Sequence, residues 1–311
     1  MDNIILYLVA FLIFPGFLFT GAFGLFTAWI DRKVSALVQW RVGPPLFQPF
    51  YDLFKLWHKE LLIPSGAKSA GFLIAPLIGI TATTLIATIL GIINLNTDLR
   101  FVGDVIVLLY LMVIPPLSIV WGGFASGNPL SSLGASREIK LMMGYELPFI
   151  LAVATVLFKV GTLSLGEIIQ YQSVHGILLN HPSMILAFVV TLLCLQAKLG
   201  QVPFDMSEAE CEIMEGPFLE YSGPALGVYK LMQSMLYVVV PWFLISLFWG
   251  GTNLHGWGIL WSLLKYLAII TLVVLIKNTN PRVRIDQAVK FFWGWVTLLA
   301  LIAVILMLLG F

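Results

Sequence analysis

Charge is scarce in this sequence. Asp, Glu, Lys and Arg make up 11% of its 311 residues, against roughly a quarter in a soluble domain. Hydrophobic residues make up 59%. That balance excludes an ordinary soluble domain and leaves a polytopic membrane protein, whose core forms partly against lipid. Cysteine is scarcer still: Cys194 and Cys211 make no CxxC pair, and His58, His175, His181 and His255 show no ligand spacing. The chain therefore offers no case for a zinc site, an iron–sulfur cluster or a disulfide framework. It has no phosphate loop and no GxGxxG, so any redox chemistry would need cofactors on other subunits. A net charge of +1 argues against a nucleic-acid partner.

Long apolar runs are abundant. A bilayer core of about 30 Å needs ~20 helical residues. Eight segments meet that length, near 4–30, 70–93, 101–124, 138–158, 183–200, 221–249, 257–277 and 290–310. The expected fold is all-α: one integral membrane domain over 1–311, with no soluble domain between spans. The first segment lacks a basic n-region, and its apolar run is too long for a signal peptide, so it reads as an uncleaved span. Of the 17 Lys and Arg residues, all but Arg100, Lys159, Lys230 and Lys265 fall on the odd-numbered connections. By the positive-inside rule those connections face the cytoplasm and both termini face out.

The first connection, 31–69, has structure of its own. Gly43-Pro44-Pro45 breaks any continuing helix. Over 48–60, Phe50, Leu53, Phe54 and Trp57 share one helical stripe against Asp52, Lys55, Lys59 and Glu60. The pattern predicts an amphipathic helix on the membrane or against a partner.

Acids concentrate in 198–221, which holds Asp205, Glu208, Glu210, Glu212, Glu215 and Glu220 with no base between Gln201 and Tyr221. If helical, Glu208, Glu212 and Glu215 share a face and repel, which raises pKa values toward a proton-exchanging range. The bland alternative is a solvated acidic loop. In the fourth span Glu138 and Glu146 lie eight residues apart, about 12 Å along a helix. Pro148 removes the hydrogen bond that Gly144 would accept, which opens a point for water near Glu146. Such a carboxylate marks a pathway, or else a structural ion pair with Lys230 or Lys265. Those two lysines interrupt apolar runs and could relay protons with the glutamates, or snorkel to the surface.

These residues resemble a known family. The chain is similar to the eight-span membrane subunit shared by respiratory complex I, where it is NADH dehydrogenase subunit 1, and the energy-converting membrane-bound hydrogenases. Asp31-Arg32-Lys33 through Arg41-Val42-Gly43-Pro44, then Gln48-Pro49, resemble its first connection. Ser136-Arg137-Glu138 and Tyr145-Glu146 resemble its fourth span, and Pro203-Phe204-Asp205 with the following glutamates and Tyr221 resembles its signature.

The resemblance implies a coupling role in an oxidoreductase complex, with no independent activity. It places Glu138, Glu146, Glu208, Glu210, Glu212 and Glu220 on or near a polar path, and Arg41 and Asp205 against the peripheral arm. Glu215 stands where quinone-type members carry a small residue. The implied partners are hydrogenase-like large and small subunits, an iron–sulfur subunit and antiporter-like membrane subunits. Iron–sulfur clusters and a NiFe centre belong to those partners, and the complex to a prokaryotic cell membrane. The short Gly43-Pro44-Pro45-Leu46-Phe47-Gln48-Pro49 loop, Ser126-Gly127-Asn128-Pro129 and Gly134-Ala135-Ser136 are similar to the hydrogenase-type branch. That branch takes electrons from ferredoxin to protons, or to a sulfur compound in a close relative. The alternatives are a quinone-site subunit of complex I and a stand-alone transporter; the latter usually shows two related halves, and no convincing repeat is present.

Overall fold

In hydrocarbon every backbone N–H and C=O must be satisfied internally, so helix is the expected solution. The computed structural model describes residues 2–99, 103–253 and 256–310, with side chains from residue 5 onward except those of Glu210 and Cys211. The described residues are helical and contain no strand. Arg100 and His255, weighed above, lie outside them.

The first crossing is α1 (Asp2–Leu12) and α2 (Phe17–Val38). They are separated at 13–16, where Pro15 has no N–H to give and the Phe14-Pro15 bond is cis. Thr20 Oγ1 donates to the Pro15 carbonyl at 2.8 Å across the break. The expected span ended near residue 30, but α2 continues to Val38 because no breaker intervenes before Gly43-Pro44. Asp31, Arg32 and Lys33 are therefore helical. Then come α3 (Gln48–Trp57), the expected amphipathic helix with Pro49 in its first turn, and α4 (Ser69–Leu95).

The third span is two helices, α5 (Asp104–Leu111) and α6 (Ile114–Ala125), divided ahead of Pro115-Pro116. The fourth, α7 (Pro129–Val160), is 32 residues long and starts well before the expected 138. Asn128 Oδ1 accepts from Leu130 N at 2.8 Å and Pro129 takes the first turn, a strong start signal. Glu138 is consequently inside the helix, not at its mouth.

Next is α8 (Leu165–His175), a short helix absent from the sequence expectation. Asp104 caps it from another segment, accepting from Leu165 N at 2.6 Å. The expected fifth span is α9 (Pro182–Lys198), 17 residues, an apolar helix shorter than the seven among the described residues that are long and apolar enough to cross a membrane, against the eight expected. A single turn, α10 (Glu210–Ile213), lies in the acidic stretch between 3-10 turns at Met206–Glu208 and Gly216–Phe218. The chain ends with α11 (Gly223–Phe248), α12 (Gly258–Thr279), α13 (Ile285–Lys290) and α14 (Thr297–Leu308), the last two joined by a π turn at Phe291–Val296.

α11 is the axis of the bundle. Of its apolar window 89% is buried, against 33% for α12, so α11 is enclosed while α12 keeps a lipid-facing side. It touches α2, α3, α4, α8, α9 and α12. Gly24 lets α2 approach: a Cβ there would stand 2.5 Å from the Ser234 carbonyl oxygen. Asn94, Gln172 and Lys265 bond groups in the last turn of α11 and the turn after it. The acidic stretch leads into the opposite end, about 39 Å away at 1.5 Å per residue.

Candidate functional site

The acidic stretch does not form one helix. Met214, Glu215 and Gly216 have φ of 51°, 68° and 53°, a left-handed run that ends α10, and Pro217 follows. The Ser207 carbonyl sits directly against Gly216, so no Cβ fits there. Glu208, Glu212 and Glu215 therefore diverge instead of sharing a face. The stretch is nonetheless ordered, because α7 binds its backbone: Arg137 donates to the Met206 carbonyl at 3.3 Å and Ser131 to that of Pro217 at 3.1 Å. Phe204 packs on Phe291 and Phe292.

Each acid finds a different environment. Asp205 pairs with Arg282 at 2.7 Å, and its second oxygen is buried without a partner among the described residues. Glu212 pairs with Arg137 at 2.5 Å. Glu220 accepts from Asn128 at 2.6 Å, which ties the stretch to the start of α7. Glu215 is exposed on its left-handed turn. The side chain of Glu210 lies outside the described residues. Glu208 accepts from Gln233 at 2.7 Å. Burial pushes its carboxyl above the usual range; Lys230 and Gln233 oppose the shift, and Asp205 and Glu215 add to it. Glu138 is 7% exposed and lies against Ser207 and Glu208.

Glu146 is joined to Lys198, not to Lys230 or Lys265. Lys198 counts by sequence as a basic residue of the fifth connection, yet its side chain is 3% exposed. The signal that could have found it is register: Thr191, Cys194 and Lys198 follow at i, i+3 and i+7 on the buried face of α9. A second missed pair is Asp31 with Lys277 at 2.8 Å, which joins α2 to α12 beside Asn278 and Ser35.

Lys230 is exposed on α11, its ammonium 5.2 Å from the Phe218 ring centroid and its charge acting on Glu208. Lys265 is not brought to the acids. It donates to the Trp249 and Gly251 carbonyls, at 2.6 and 3.3 Å, beyond the far end of α11. Arg41 is exposed in the first connection.

Two hollows adjoin this region. A cavity of about 370 Å³ lies between α2, α3 and α11, with Asp31, Asp52, Glu208, Lys230, Gln233 and Tyr237 in its wall. A smaller one of about 220 Å³ is rimmed by Arg137, Asp205, Glu212, Arg282, Arg284 and Asp286. The charges of these groups act on one another in steps: Asp205 on Glu208, Glu208 on Glu138, and both Glu138 and Glu146 on the Tyr145 hydroxyl.

The family model described as NADH dehydrogenase matches residues 9–308. The H subunit of the NADH-quinone oxidoreductase of Carboxydothermus hydrogenoformans is 31% identical over 94% of this chain and 85% of its own length. The protein of the same name from Dehalococcoides mccartyi is 33% identical over 88% and 78%. Among solved structures, a chain of the membrane-bound sulfane sulfur reductase, an archaeal respiratory membrane complex, is similar with a TM-score of 0.86. Identity is 29%, over 99% of this chain and 100% of that one.

Proposed function

The chain belongs to the NADH dehydrogenase family of respiratory membrane subunits, and from that premise we propose that it couples redox turnover to ion movement in a ferredoxin-linked, hydrogenase-like complex. The observation that carries the choice of branch is the abbreviated loop Gly43-Pro44-Pro45-Leu46-Phe47-Gln48-Pro49. The similarity to the sulfane sulfur reductase chain, with a TM-score of 0.86, supports the same reading.

In this reading the basic end faces the cytoplasm and receives a peripheral arm at Arg41, Asp205 and the charged hollow around Arg282. Iron–sulfur clusters, and in a hydrogenase a NiFe centre, sit on the peripheral chains; antiporter-like subunits lie beside the membrane part. Redox turnover changes the charge near Asp205. Solvent screens the change at the exposed Glu212 and Glu215, but charges are poorly screened in the interior, so it is felt by Glu208 and then by Glu138 and Glu146. Those carboxylates respond by taking up, passing on or releasing a proton. Lys230 biases the charge of Glu208.

The test is the complex purified through this subunit and supplied with reduced ferredoxin. Hydrogen evolution, or reduction of an added sulfane sulfur compound, supports the reading and names the acceptor. Ferredoxin oxidation that depends on added quinone instead overturns the branch. A second reading, quinone reduction, draws on the 370 Å³ cavity, whose mixed polar and apolar wall suits a quinone head group. Inhibition by quinone-site inhibitors would favour it.

A further inference from the structure

We propose that Lys198 is a positioning residue for the coupling carboxylate, holding Glu146 in a closed ion pair and releasing it during turnover; this rests on the coupling role given above. Lys198 occupies the last turn of α9, where unpaired helix carbonyls favour a cation. Its ammonium donates to Glu146 Oε1. The Lys198 side chain is 3% exposed and that of Glu146 17%, so the lysine is enclosed while part of the glutamate side chain reaches the surface of this subunit.

The ammonium also lies 5.0 Å from the Tyr145 ring centroid and 4.6 Å from that of Phe149. Aromatic faces attract cations, so Lys198 has a seat that does not depend on the carboxylate. The other titratable groups at the pair are the Tyr145 hydroxyl, the Cys194 thiol and, further along α7, Glu138. Among the described residues the hydroxyl is buried without a hydrogen-bond partner and the thiol is buried and free. Neither carries the positive charge that would replace Lys198.

A buried carboxylate that loses its cation must be neutralised or find another partner. The pair thus has two states. Closed, the Glu146 charge is compensated and carries no proton. Open, Glu146 binds a proton or a metal cation while the ammonium stays on the rings. Pro148 leaves the Gly144 carbonyl without its helical donor, which eases movement of that turn. A charge change in the acidic stretch biases the choice between states.

The test uses the intact complex with Lys198→Met, Lys198→Arg, Glu146→Gln and the Glu146→Gln/Lys198→Met double variant. Lys198→Met should produce a protonated carboxylic-acid band in the infrared that is absent from wild type and from the double variant. It should also lower the ions moved per electron. Lys198→Arg, which keeps the charge, should show no such band. If Lys198→Met changes neither readout while Glu146→Gln uncouples, the coupling reading stands and the role of Lys198 falls. If neither variant has an effect, Glu146 leaves the mechanism and Lys198 with it. Should Lys198→Met fail to assemble, the double variant decides. Assembly with the loss seen for Glu146→Gln alone supports the pair, and full coupling overturns it.

Discussion

Ionisable residues in this bundle divide by what they face. Lys198 and Lys265 are both lysines in mainly apolar helices, yet one meets a carboxylate and the other two carbonyls. Lys265→Met should remove a charged donor worth about 2 kcal/mol. The melting temperature of the complex should fall while ions moved per electron stay unchanged; a loss of coupling without a stability change would reinstate Lys265 in the path. Glu146→Gln should do the reverse, leaving the complex assembled but uncoupled or slowed. Unchanged pumping in that variant would remove Glu146. Both lysines are visible in the sequence as interruptions or ends of apolar runs. Their partners are not, because a side chain's partner depends on how two helices are rotated against each other.

At the scale of elements, α3 packs against α11 and α2. Leu53 is buried, and Arg32 of α2 pairs with Asp52 at 2.7 Å. Burial raises the Asp52 pKa, but hydrogen bonds from Arg32 and Gln48 and the charges of Arg32 and Lys55 outweigh it. The net pKa lies below its ordinary 3.8. A lowered carboxylate contributes stability above the unfolded value and loses it as pH falls through the folded one. Acidification below about pH 4 should therefore loosen α3, read as faster proteolysis across 40–60, and Asp52→Asn should lose that pH dependence. Unaltered acid sensitivity in Asp52→Asn would assign it to another group. The contact between α2 and α11 is more exacting. Gly24→Ala should drive a methyl against the Ser234 carbonyl and cost about 1–3 kcal/mol, seen as a lower melting temperature; an unchanged value would mean that the helices separate freely.

For the whole molecule, the charged face around Arg282 and Arg137 is the docking surface that the proposed function requires. Arg282→Glu reverses the charge opposite Asp205 and should release the peripheral arm during purification, more completely at high salt, since exposed pairs are screened. Retention of the arm at all salt concentrations would move the interface elsewhere.

The membrane class, seven of the eight expected spans, the amphipathic helix and the family resemblance were all legible from the sequence. Each rests on a one-dimensional property: a bilayer imposes a length on apolar runs, and Pro, Asn and Gly mark where helices stop and start. The early start of α7 was readable too, from Asn128-Pro129, although the apolar pattern concealed it. Tertiary structure alone decided that the acidic stretch breaks into separate turns, that Asp31 meets Lys277, and that Lys198 turns inward to Glu146. The reason is that burial and pairing are long-range. They depend on which helix faces meet across residues far apart in the chain, and hydropathy along one strand of sequence carries no record of that meeting.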